Sequence, residues 1–126
     1  MEEQEIIDSL VQAPELLSKT LSPILATYRS TDMSVAFKVY SSKMEGINPH
    51  NVTEVLESYT SLITYMYVNM AHYVELQNFE LCDQIKDYID FETRYYAMYL
   101  KFHNPDIDYP EKELQDINTL IRISWL

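Results

Sequence analysis

Apolar positions recur along most of this chain at spacings of three and four residues. The clearest run begins after Asn51. Val52, Tyr59, Met66 and Tyr73 recur every seven residues, and Leu56, Ile63 and Met70 do the same beside them. Such a stripe marks an amphipathic helix with one face turned to a core. Leu81, Tyr88, Tyr95 and Phe102 repeat the pattern, flanked by Ile85 and Tyr99, and by Ile89 and Tyr96. Taken literally, Val52 to Phe102 reads as one helix. Soluble helices average about three turns, however, and Asn78 tolerates the left-handed conformation of a helix end. The pattern therefore predicts an antiparallel hairpin, 51–78 and 79–103, with the first helix central and packed on two sides.

Shorter stripes flank the hairpin. Ile6, Ile7, Leu10 and Val11 follow a glutamate-rich first turn, and Leu17, Leu21, Ile24, Leu25 and Tyr28 continue the rhythm. Pro14 either breaks this helix or opens a second one, and Ser22-Pro23 predicts a kink or restart. Met33, Ala36, Phe37, Tyr40 and Met44 fit a helix ending at Gly46, although Met33, Val35, Phe37 and Val39 also alternate as in a strand. Near the end, Leu114, Ile117, Ile121 and Trp125 form a helical stripe, while Ile121, Ile123 and Trp125 alternate, which predicts a short extended tail over 120–126. The expected fold is a single all-α domain over 1–126, a small bundle of about four to six helices around the hairpin.

Composition narrows the chemistry. A hydrophobic fraction of 47% and an aromatic fraction of 13% supply a real core. Gly46 is the only glycine, which disfavours phosphate-cradling loops and tight β-hairpins. Cys82 stands alone and cannot form an internal disulfide, so the expected location is a reducing, cytoplasmic compartment. No apolar run approaches the length of a membrane span. The formal charge is −11, and acids outnumber bases in both halves of the chain. A field of that sign repels nucleic acid and anionic membranes and favours a basic protein partner.

Three constellations stand out. Glu80, Asp83, Asp87 and Asp90 follow i+3, i+4, i+3 spacing opposite the tyrosine stripe, with Arg94 next in the row. They form an acidic ridge suited to docking a basic partner. Glu92 falls within the tyrosine stripe itself, where a carboxylate needs hydroxyl donors such as the tyrosines, or an arginine such as Arg29 or Arg122. Eleven tyrosines bring a large apolar body with a polar tip, a combination suited to surfaces that a partner covers. Tyr65, Tyr95, Tyr99 and Trp125 are thus candidate contact residues, and a homodimer is expected.

Glu54-x-x-Glu57 followed by Glu80-x-x-Asp83 is similar to the paired carboxylates of all-helical nucleoside triphosphate pyrophosphohydrolases of the MazG type. In those enzymes, acids on two adjacent helices hold Mg²⁺ against the substrate's phosphates. The resemblance implies a metal-dependent hydrolase. Thr53 stands where the family carries a further glutamate. His50, His72 and His103 lie on separate elements without ligand spacing, and Asp106-x-Asp108 lacks the glycine and glutamate of a calcium loop. The residues favour a non-enzymatic, acidic helical adaptor or inhibitor with no cofactor or metal; the hydrolase is the alternative.

Overall fold

The computed structural model describes residues 11–30, 44–108 and 110–126. They form four helices: α1 (Pro14–Ser30), α2 (Val52–Glu75), α3 (Phe79–His103) and α4 (Pro110–Trp125). The fold is all-α, as expected. Residues 2–10 and 33–40, including the helix-or-strand segment, lie outside the described residues.

The hairpin is present, and its turn is built by two adjacent side chains with different tasks. Asn78 was expected to adopt the left-handed conformation. Gln77 adopts it instead, at φ 58°. The Gln77 amide donates to the Val74 carbonyl and the Asn78 amide to the Tyr73 carbonyl, each at 3.0 Å. This is the paired closure of a Schellman end, with Gln77 where glycine is usual. Asn78 then caps α3, its side chain accepting from the Leu81 amide. Asn78 offers that oxygen from a backbone at φ −86° and ψ 73°, outside the left-handed region. Asn51 does the same for α2, accepting from the Glu54 amide.

α2 is packed on two sides, by α3 and α4, as expected, but the described helix with most neighbours is α3. It packs against α1, α2 and α4, whereas α1 packs on α3 alone among the described helices. Pro14 is the first residue of α1, where a missing amide costs nothing. The helix runs on through Pro23 without a restart. The extended tail over 120–126 is not formed, because α4 continues to Trp125. Ile121 and Trp125 turn toward the core while Ile123 is 69% exposed. Helical spacing, not alternation, therefore decides which of these residues are covered.

The core consists of Leu17, Leu21 and Leu25 from α1, Val55, Tyr59 and Ile63 from α2, Ile85, Ile89 and Tyr95 from α3, and Leu114 from α4. Near its C-terminal half, α2 is buried all round: Met66, Tyr67, Val68, Asn69 and Met70 are consecutive and covered. The segment before α1 helps to cover this stretch. The Gln12 amide donates to Asn69 Oδ1 at 2.9 Å, and the Tyr73 hydroxyl donates to the Gln12 carbonyl.

Candidate functional site

Among the described residues seven tyrosines are buried: Tyr28, Tyr59, Tyr67, Tyr73, Tyr95, Tyr96 and Tyr99. Tyr65 and Tyr88 are partly buried against the same core. Tyr95 and Tyr99, expected as contact residues, are 1% and 4% exposed and belong to the interior. Tyr65 and Trp125 are half-buried, packed against the core. The hydroxyls of Tyr28, Tyr59, Tyr67, Tyr73 and Tyr96 find partners within the chain. Tyr96 shares a hydrogen bond with Ser58 at 2.9 Å, and Tyr59 packs edge-on against Tyr96.

Proton counting fixes the direction of one chain of hydrogen bonds. Thr93 donates its only hydroxyl proton to the Ile89 carbonyl at 2.8 Å. It must then accept from Tyr59, 2.7 Å away. The Tyr59 oxygen accepts from Asn118 Nδ2 at 3.4 Å, and the Tyr67 hydroxyl donates to Asn118 Oδ1. The chain links α4, α2 and α3 through the interior. Asn118 was not singled out from the sequence. Its signal was available, because it falls in phase with Leu114 and Ile121 on an otherwise apolar face.

Glu92 is 3% exposed on the α1 side of α3. Tyr28 of α1 donates to its Oε1 at 3.2 Å. Tyr88, one turn earlier on α3, hydrogen-bonds to the same carboxylate. Burial first, then the Glu92 charge, pushes both phenols far above the ordinary tyrosine range. Rings close the site: Tyr28 lies 4.9 Å from Tyr95 and 5.5 Å from Phe91 between centroids, and the Arg94 guanidinium sits 4.8 Å from the centre of the Phe91 ring. Arg29, considered as a partner for Glu92, pairs with Asp87 instead. The chemistry of this buried cluster is that of a structural clasp between α1 and α3.

The acidic ridge is less uniform than its spacing suggested. Glu80, Asp83 and Asp90 are exposed, but Asp87 is half-buried and tied to Arg29. Lys86 and Arg94 are exposed on the same side of α3, so that face alternates in sign. The four acids of the pyrophosphohydrolase pattern are not brought together. Glu54 and Glu57 sit at the start of α2, whereas Glu80 and Asp83 follow the turn that ends it. At 1.5 Å per residue, the length of α2 places them roughly 30 Å apart, too far to share a metal. Among the described residues, no three His, Cys, Asp or Glu side chains form a group that could hold an ion. Cys82 is buried beside the Met70 carbonyl, as a core residue.

A groove of about 710 Å³ lies between the end of α3 and the start of α4, lined by Met98, Lys101, Pro110 and Lys112. Of its lysines, Lys101 is engaged: its Nζ donates to the carbonyls of Pro105 and Ile107, each at 2.8 Å. It secures the loop before α4.

Large exposed apolar residues occur on every described helix, among them Leu16 on α1 and Phe102 at the end of α3. On α4, Leu120 and Ile123 are 67% and 69% exposed, followed by Leu126. At the hairpin turn, Leu76 and Phe79 are 61% and 60% exposed beside Val74. The start of α4 lies by Ala97 and Lys101 of α3, and Asn118 by Tyr59 and Tyr67 of α2. α4 therefore runs alongside α2 in the same direction, and its last turn is directed toward the hairpin end. Both apolar groups lie toward one end of the bundle. Comparison with known protein families, with curated proteins and with solved structures returns no match. No described helix is long and apolar enough to cross a membrane.

Proposed function

We propose that this protein is a non-enzymatic interaction module, an adaptor or inhibitor, that docks on a larger protein through the apolar end formed by α4 and the hairpin turn. The observation that supports this reading most is the exposure of Leu120 and Ile123 on successive turns of α4, in a chain that buries its tyrosines. Adjacent exposed apolar side chains mark contact surfaces more often than isolated ones do. Acids on the first turns of the same helix, Glu111, Glu113 and Asp116, suit a partner whose surface is apolar at one end and basic at the other. The formal charge of −11 favours basic partners generally.

A photoreactive residue at position 123 tests this directly. Irradiation in an extract of the host should give a discrete adduct with a protein. The same residue at Ser61, exposed on the polar face of α2, should give none. Adducts of equal yield at both positions, or none at position 123, would refute the assigned surface.

A further inference from the structure

His50 and His103 stand far apart along the chain, and the hairpin brings them together. α2 opens just after His50 and α3 closes at His103, so antiparallel packing sets both at the open end of the hairpin, away from its turn. Their ring centres lie 5.8 Å apart, with the planes at right angles. The neighbouring residues fix this spacing. Asn104 Nδ2 donates to the Pro49 carbonyl at 2.8 Å, which ties the residue after His103 to the residue before His50. The His50 amide donates to Asn48 Oδ1, and the Asn51 amide to the Asn48 carbonyl, each at 3.1 Å, so the turn that carries His50 is itself held. The His103 ring packs edge-on against Tyr99, one turn back on α3, with centroids 4.7 Å apart. His103 is half-buried there, and His50 is exposed.

We propose that His50 and His103 chelate a divalent transition ion of the zinc, nickel or copper class. Neutral imidazole is a nitrogen ligand that such ions favour, whereas Mg²⁺ and Ca²⁺ prefer oxygen. Two imidazoles bound to one ion at about 2.1 Å per nitrogen have ring centres roughly 5 Å apart. A small rotation of the exposed His50 side chain closes the observed 5.8 Å to that spacing. The bond between Asn104 and Pro49 holds the two rings close before an ion arrives, so little ordering is left to be done on binding. Two protein ligands leave the remaining positions to water or to a donor from another molecule. The ion cross-links the turn before α2 to the end of α3. The formal charge of −11 raises the local concentration of any cation, and the imidazole pair selects this class among them. The pair lies at the opposite end of the hairpin from Leu76 and Phe79, so this site and the docking surface stand or fall separately.

Calorimetric titration of the tag-free chain with Zn²⁺ tests the site. The expected result is one ion per chain, with a melting temperature that rises as Zn²⁺ is added. His50→Ala, at an exposed position, and His103→Gln each abolish the binding. His72→Gln, at the other end of α2, keeps it. Far-ultraviolet circular dichroism checks that each variant stays helical, and His50→Ala carries the test should His103→Gln unfold. Mg²⁺ at the same concentration gives neither heat nor a shift. Three results would overturn the proposal: no Zn²⁺ binding by the wild type, binding that His50→Ala leaves undiminished, or an equal response to Mg²⁺. The last would show diffuse attraction to acidic side chains.

Discussion

Asn118, Tyr59 and Thr93 hold one another in a fixed order of donation, and that order predicts which substitutions hurt. Thr93→Val removes the acceptor of a buried hydroxyl, and an unsatisfied polar group of that kind costs about 1–3 kcal/mol. Tyr59→Phe leaves Thr93 its bond to the Ile89 carbonyl, so the expected loss is smaller, about 1 kcal/mol. Urea unfolding of both variants gives the ranking, and a greater loss in Tyr59→Phe would contradict the assigned direction. Glu92 is the second residue that decides something. Glu92→Leu leaves the Tyr28 and Tyr88 phenols without this acceptor and should lose about 1–3 kcal/mol. Glu92→Ala also opens a cavity and should lose more. Equal, unchanged stabilities would show that Glu92 is not enclosed. The burial of Glu92 was legible in the sequence, because its phase lies within the tyrosine stripe. Its donor was only half legible. Tyr28 lies 64 residues away, and nothing local says which helix will cover which face.

Element by element, periodicity carried furthest where one face is buried over many turns. The two hairpin helices were legible for that reason. The turn between them was placed correctly but its left-handed residue was not, because Gln77 has no intrinsic preference for that conformation. It adopts it because Asn78 is committed to capping α3. Glycine relieves the strain of a left-handed side chain, so Gln77→Gly should raise stability by about 0.5–1 kcal/mol. The midpoint of urea unfolding checks this; a lower midpoint would mean that the Gln77 side chain makes a contact worth more than the strain. The last turn of α4 was misjudged for a related reason. Over a few residues, alternation and helical spacing select nearly the same positions, and packing of Ile121 and Trp125 on the core is what separates them. The candidate contact residues Tyr95 and Tyr99 are buried within the chain, and size and polarity alone do not say which tyrosines an interior will enclose.

At the scale of the whole molecule, a core of phenols makes stability sensitive to alkali. Burial raises Tyr28, Tyr59, Tyr67, Tyr88, Tyr95 and Tyr99 above the ordinary tyrosine value, with Glu92 adding to Tyr28, Tyr88 and Tyr95. The folded chain thus holds these protons more tightly than the unfolded chain, whose tyrosines titrate near 10. Their contribution is complete below about pH 10 and is lost as pH rises beyond it. The melting temperature should fall steeply above that pH, with phenolate absorbance appearing together with loss of helix. Gradual ionisation in a chain that stays helical would show that the phenols are open to solvent. Because most of the described tyrosines are buried, the proposed contact surface rests on α4 and the hairpin turn. The most direct measurement is capture of a protein partner by wild type and by the double variant Leu120→Glu, Ile123→Glu, at matched melting temperature. Both side chains are about two-thirds exposed, so the substitution should leave stability within about 0.5 kcal/mol of wild type. Loss of capture at unchanged stability is the expected result. Capture equal to wild type, or no partner for either protein, would contradict a docking role for this end of the bundle.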